Sequence, residues 1–274
     1  MKTRMAAADF LNPFPRAIAH RGDSRNYPGN TLFAFLSAVA MGVDVIETDI
    51  HLSRDGIPVV WHDATLDHMT DGKGRINEYT VRQLKEFDAG YNFTKDGGQT
   101  FPFRGKGVQL CTLEEALTAC PKQRFNVDMK DCGTEMVEAF ISAVRHCNAE
   151  SRVCGASFHM NSIRNLRRRC PSIQTSASTI EVVPLLFCQK LHILPKGIKK
   201  LAVGILQIPM EVRGFPIVTE EFVASMHSRN IIVMVWTIND ARQVHKLFSF
   251  GVDSIISDNP AMVIRIAEEM GLRS

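Results

Sequence analysis

A (β/α)₈ barrel of the TIM type is the fold that the sequence predicts, and three observations predict it. Short runs rich in Val, Ile and Phe alternate with helical runs along nearly the whole chain. The strand–helix units number eight, the count that closes a barrel. The G-x-G-x-x-G turn that normally follows the first strand of a doubly wound open sheet, the runner-up, is absent. A chain of 274 residues is the right length for one such barrel, so residues 1–274 are read as a single domain.

The strand runs are Ala17–Gly22, Val45–His51, Arg124–Lys130, Val153–Phe158, Ile173–Ser178, Val203–Pro209, Ile231–Ile238 and Ser254–Asp258. Most are short and apolar on both faces, as buried parallel strands are. The helix runs are Thr31–Met41, Leu113–Ala119, Thr134–Cys147, Asn161–Arg169, Val182–Leu191, Glu220–Ser228, Ala241–Phe250 and Ala261–Met270. Thr31, Thr219 and Asp240 stand where N-caps belong, and Gly42, Gly251 and Gly271 where helices stop. Two stretches break the alternation. Asp55-Gly56 between β-rich runs signals a hairpin, with Ile57–His62 as its return arm. Asp88–Leu110, rich in Gly, Asn, Asp and Phe, reads as a small irregular insertion before the next helix.

Composition narrows the class. Apolar content of 45% and charged content of 22% are ordinary for a soluble protein with a sizeable core. A net charge of +3 is too small to argue for nucleic acid, and Arg167-Arg168-Arg169 lies in a helix run, where it reads as a solvated face. The seven cysteines are odd in number and include no C-x-x-C pair, which fits reduced thiols. Met1–Phe14 lacks the apolar core of a signal peptide, and no apolar run approaches the roughly 18 residues of a spanning helix. A soluble cytoplasmic protein with a small-molecule partner, and no stable membrane insertion, is expected.

The chemistry-bearing residues fall at strand ends. His20-Arg21-Gly22 ends the first strand, Glu47 and Asp49 lie on the second, His62-Asp63 ends the hairpin, and Asp128 and Lys130 lie on the third barrel strand. A period of two puts Glu47 with Asp49, and Asp128 with Lys130, on one face. Bare carboxylates on buried strands are costly, and a hard divalent cation with oxygen ligands relieves the cost. A turn centred on Asp55-Gly56 pairs residues whose numbers sum to about 111, bringing Asp49 opposite His62. His20 and His62, approaching from different strands, suit acid–base work on two sides of one reacting centre. Arg21 and Lys130 offer positive charge there. His51 shares the parity of Glu47 and Asp49 but reads as a solvated rim residue further up the hairpin. His159, at a strand end, is a weaker candidate for substrate contact. His146, His192, His227 and His245 read as surface residues beside helices.

Longer motifs carry a resemblance. His20-Arg21-Gly22, Pro28-Gly29-Asn30-Thr31, Ala34-Phe35, Glu47-Thr48-Asp49, Asp55-Gly56 and His62-Asp63 appear in that order. Leu113-Glu114-Glu115, Trp236-Thr237-Ile238-Asn239 and the run from Gly251 to Pro260 follow. From about residue 17 to residue 263 the chain resembles the glycerophosphodiester phosphodiesterase family, within the phospholipase-C-like phosphodiesterases. The resemblance implies a TIM-type barrel with a small insertion after the second strand. It implies Glu47, Asp49 and Asp128 as ligands of Mg²⁺ or Ca²⁺, and His20 and His62 as the acid–base pair. It implies Arg21 and Lys130 as phosphate contacts and Trp236 on the glycerol side; without the motif, Trp236 reads as core packing. The implied reaction releases glycerol 3-phosphate and an alcohol.

Three departures stand out: Gly29 where the family usually has Glu, His68-Met69-Thr70 in place of an Arg–Thr–Thr run, and Asp128 where Glu is common. Two rival readings follow. One is a lysophospholipase D, suggested by the apolar stretch Val182–Leu194 followed by Lys196, Lys199 and Lys200. The other is a silent phosphodiester-binding barrel, supported by Gly29 alone and opposed by the retained His20 and His62.

Overall fold

The computed structural model of the chain describes residues 10–190 and 204–273, and for 185–190 the backbone alone. Eight parallel strands form a nearly closed barrel: β1 (Ala17–His20), β2 (Val45–Leu52), β3 (Arg124–Met129), β4 (Val153–Ala156), β5 (Gln174–Thr175), β6 (Ile205–Pro209), β7 (Ile232–Trp236) and β8 (Ser254–Ser257). Each strand but β5 and β6 pairs with both its neighbours in sequence, and β8 returns to pair with β1 through Ala17–Ile255, Ile18–Ile256 and Ala19–Ser257. The ladder is open between β5 and β6. There the Ser176 N–H donates to Gly155 O at 3.1 Å, whereas the Ala177 N–H donates across to Ile205 O at 2.9 Å. The backbone switches neighbours within one residue, which is why β5 is far shorter than the Ile173–Ser178 run predicts.

A helix follows each strand: α1 (Leu32–Met41), α2 (Leu113–Ala119), α3 (Thr134–His146), α4 (Met160–Arg169), α5 (Thr179–Lys190), α6 (Glu220–His227), α7 (Ala241–Ser249) and α8 (Pro260–Glu269). The caps are where the sequence places them. Thr31, Thr219 and Asp240 accept backbone N–H groups of the first turns of α1, α6 and α7, meeting donors that have no partner within the helix. Leu191 and Val203, the predicted ends of a helix and a strand, lie outside the described residues, as do His192, Leu194, Lys196, Lys199 and Lys200. Among the described residues no helix is long and apolar enough to cross a membrane.

The hairpin forms with Pro58–Val60 as its return arm, and paired numbers sum to 110, as in Ile50–Val60. Its register thus differs by one from the expected 111, because Asp49 O accepts from the Trp61 N–H at 3.0 Å and His62 follows one residue later. Between the hairpin and α2 the chain builds a small hydrophobic cluster of its own. Trp61, Leu66, Ile76, Leu84, Ala89, Val108 and Leu110 are all buried in it. Asp88–Leu110 lies within this stretch. Inside the barrel, Ile18, Val45, Cys154, Ile205, Met234 and Ile256 pack together with Phe10. Asn126 and Gln207 exchange amide hydrogen bonds of 3.1 and 2.8 Å in the layer above.

Candidate active site

Strand periodicity turns that apolar layer into a site. Two residues beyond Ile18, Val45, Ile205 and Met234 stand His20, Glu47, Gln207 and Trp236, which must share their inward face. All four line one cavity of about 520 Å³ at the C-terminal ends of the strands, with Arg21, Asp49, His62, Asp128 and Lys130. Every site residue expected from sequence therefore lines a single chamber. It stands at the end of the barrel where loops of this fold carry chemistry. Of the lesser histidine candidates, one gains no support and one comes out differently. His159 is exposed at the N-cap of α4 and lines neither cavity described here. His51 is not solvated.

Local backbone holds the first motif. Arg21 has φ 60°, Gly22 φ 80° and Asn30 φ 59°. A Cβ on Gly22 would lie 2.7 Å from the Ala34 carbonyl carbon, so only Gly fits this tight approach of the first loop to α1. The Arg21 N–H groups then meet β2: the backbone N–H donates to Glu47 O at 2.9 Å and lies 3.2 Å from Glu47 Oε2. Asn30 donates to Asp49 Oδ2 at 2.9 Å and accepts from Thr48 at 2.8 Å, fixing the Asp49 carboxylate.

The two imidazoles are held alike. His20 Nδ1 is 2.6 Å from Asp258 Oδ1, and His62 Nδ1 is 2.6 Å from Asp63 Oδ1. Asp258 also accepts from Ser24 at 3.1 Å and Asn239 at 2.6 Å. Burial works to lower the His20 pKa, but the Asp258 hydrogen bond and the Glu47 carboxylate outweigh it and hold the pKa above the ordinary value. Burial works to raise Asp258, and its bond from His20 prevails, taking it down to about 2. Such a carboxylate–histidine pair fixes one tautomer and leaves Nε2 for proton transfer.

The carboxylate group is electrostatically unfinished. Glu47, Asp49 and Asp128 are 7%, 1% and 7% exposed. Burial, then the neighbouring Asp49 charge, pushes Glu47 up to about 8. Burial likewise raises Asp128. Asp49 goes the other way, because burial is outweighed by the Lys130 and Arg21 charges. Lys130 Nζ bridges Asp49 Oδ1 at 2.8 Å and Asp128 Oδ2 at 2.7 Å. Asp128 Oδ1 and Arg21 Nε are buried without hydrogen-bond partners. Buried polar atoms seldom stay unpaired, so Asp128 Oδ1 wants a cation or a donor, while Arg21 Nε has the Asp49 carboxylate beside it as an ion pair without a hydrogen bond. Among the described residues no three His, Cys, Asp or Glu side chains converge in a ligating arrangement as they stand. The donor chemistry nevertheless fits a hard cation: three carboxylates, one with an orphan oxygen and one whose ionisation is opposed first by burial and then by the Asp49 charge.

Comparison with known proteins shows the family. Residues 20–262 match the profile of the glycerophosphoryl diester phosphodiesterase family. The chain belongs to that family. It is 30% identical over 261 residues to a glycerophosphodiester phosphodiesterase of Bacillus altitudinis, covering 93% of this chain and 99% of the relative. A Silicibacter pomeroyi putative glycerophosphoryl diester phosphodiesterase superposes with a TM-score of 0.80 at 24% identity, covering 98% of this chain and 99% of that one. An Oleispira antarctica phosphodiesterase, solved with the product sn-glycerol-3-phosphate, superposes with a TM-score of 0.75 at 25% identity, covering 94% and 98%.

Within the family frame, sequence reasoning missed three supports. Asp258 was visible only as part of a motif, although it stands two residues past inward-facing Ile256 at the end of β8. Asn30 was a motif letter without a role. His51 is 7% exposed, not a solvated rim residue. Its Nδ1 lies 2.8 Å from Asp131 Oδ1 and its Nε2 3.1 Å from the His62 carbonyl oxygen. The loop after β3 buries it, and it braces the backbone of His62.

Proposed function

We propose that the protein hydrolyses glycerophosphodiesters to glycerol 3-phosphate and an alcohol, with a divalent cation and two-histidine acid–base catalysis. The observation that carries this reading is the pairing of His20 and His62 with carboxylates at 2.6 Å each, in one cavity with Arg21 and Lys130. Glu47, Asp49 and Asp128 would hold Mg²⁺ or Ca²⁺, whose charge offsets that of the phosphoryl oxygens. Arg21 and Lys130 bind those oxygens and turn the phosphorus toward the histidines. His20 takes the proton of the attacking oxygen at Nε2, and Asp258 holds it in the tautomer that can do so. His62 delivers a proton to the leaving alcohol oxygen. The attacking oxygen is a glycerol hydroxyl, so the first product is a cyclic phosphodiester, which water then opens with the histidine roles reversed. Trp236 lines this cavity and would meet the glycerol arm. A reducing, cytoplasmic setting suits such soluble substrates. Product analysis by ³¹P and ¹H NMR tests the reading: glycerophosphocholine should give glycerol 3-phosphate and choline in equal amounts, and phosphocholine as product would contradict it.

A second reading has its own observation. Phe158, Val183 and Val212, all lining the same cavity, are 58%, 55% and 46% exposed. An apolar rim at a reactive pocket suits an acyl chain on the glycerol, which makes lysophospholipids alternative substrates for the same chemistry. Choline release from lysophosphatidylcholine, compared with glycerophosphocholine, distinguishes the two.

A further inference from the structure

A second cavity, of about 790 Å³, meets the first at Arg21 and His62. It opens toward the small hydrophobic cluster between the hairpin and α2. Phosphate contacts at the junction give a diester two chambers for its two arms. Trp236 marks the first chamber for glycerol, so the alcohol arm falls to the second.

The charges on that second wall are unevenly used. Its two carboxylates are already engaged, Asp63 by His62 and Asp258 by His20, Ser24 and Asn239. Arg21 faces Asp49, with Nε 3.4 Å from Oδ2. Arg25 lines the cavity, is exposed, and has no carboxylate partner among the described residues. Two departures from the family pattern line this same cavity: Gly29 brings no carboxylate to it, and His68, standing where the family has Arg, takes a fixed positive charge from it, which leaves Arg25 and Arg21 as its arginines. At Gly29 no side chain enters, and a Cβ would stand 3.2 Å from the Cβ atoms of both Arg21 and Ser24. No carboxylate from that position enters the wall beside Arg21 and Ser24. The aromatic groups are poor hosts for a quaternary ammonium. The Arg104 guanidinium lies 3.9 Å over the Phe101 ring, and Phe93 packs at 5.4 Å against Phe103.

We propose that this cavity receives the alcohol arm and selects alcohols that carry an anionic group, a second phosphate above all, through Arg25. The inference rests on the hydrolase reading given above and adds the class of alcohol. A charged hydrogen bond from a free guanidinium to a phosphate stabilises binding enough to shift kcat/KM by about tenfold. The reaction itself is unchanged: the P–O bond to the alcohol breaks, and the alcohol leaves with its extra phosphate intact.

The test uses a matched pair, glycerophosphoinositol and glycerophosphoinositol 4-phosphate, which differ by one phosphate, with glycerophosphocholine as the cationic comparison. The full chain should cleave the 4-phosphate with kcat/KM about tenfold above glycerophosphoinositol and further above glycerophosphocholine. Arg25→Gln should bring the ratio of the matched pair close to unity, and Arg25→Glu should invert it. High salt should shrink the ratio in the unsubstituted protein. Equal kcat/KM for the matched pair, or a ratio that survives Arg25→Gln, overturns the proposal while leaving the hydrolase reading intact. Failure to cleave any of the three diesters overturns the hydrolase reading, and this inference with it.

Discussion

Replacing Asp258 by Asn keeps the outline of the side chain and removes its charge from His20. The carboxyl sits at about 2 against an ordinary 3.8. At about 1.36 kcal/mol per pH unit, that is about 2.4 kcal/mol of preference for the charged form. The Asp258 side chain is 38% exposed, so solvent screening cuts the useful part to about 1–2 kcal/mol. A loss of that size corresponds to a roughly five- to thirtyfold fall in kcat/KM. A second effect has a defined sign. Asp258 helps to hold the His20 pKa up against burial, so Asp258→Asn should lower it. With His20 as the base, the acidic limb of the pH profile should then move to lower pH. The assay is choline release from glycerophosphocholine between about pH 5 and about pH 9 at fixed metal. Unchanged kcat/KM together with an unmoved acidic limb would refute the assignment of Asp258 as the residue that positions His20.

Mg²⁺ or Ca²⁺ should raise the melting temperature, by an amount equivalent to about 2.7 kcal/mol at a hundred times Kd, and Glu47→Ala with Asp49→Ala should abolish the rise; a rise that persists shows the ligands to be elsewhere. In chelated protein the Glu47 carboxyl holds its proton up to about 8 when folded but only to about 4.3 when unfolded, so stability should fall as pH climbs through that window. Glu47→Gln should flatten this slope in pH-dependent melting curves, and a slope of opposite sign would contradict the placement of Glu47. His20→Ala and His62→Ala should each cost at least about a hundredfold in turnover on natural diesters. A p-nitrophenyl ester should rescue His62→Ala in part and His20→Ala not at all; the reverse pattern exchanges acid and base.

Most of the barrel was legible because its strands are short, apolar and separated by capped helices. Parity made much of the site legible too. Once Ile18, Val45 and Met234 face inward, so must His20, Glu47 and Trp236. What stayed hidden depends on contacts between distant residues. His20 and Asp258 are 238 residues apart, and nothing local to either announces the other. His51 has the parity of a site residue, but its burial comes from Asp131, 80 residues away, which also accepts the Leu52 N–H at 2.7 Å. The opening between β5 and β6 was hidden for a different reason. Ile173–Ser178 alternates Ile, Thr and Ala with Gln, Ser and Ser, a period of two, yet its backbone changes partner at Ala177, and periodicity does not report which neighbour a strand bonds.

The most direct measurement is the steady-state rate of glycerol 3-phosphate release from glycerophosphocholine by the purified chain. It is taken with chelator, then after Mg²⁺ or Ca²⁺ is restored, for the unsubstituted protein and for His20→Ala. Release should occur with metal, stop with chelator and recover when the metal is restored, and His20→Ala should lose at least about a hundredfold. Release that proceeds undiminished under chelation, or at the full rate in His20→Ala, would contradict it.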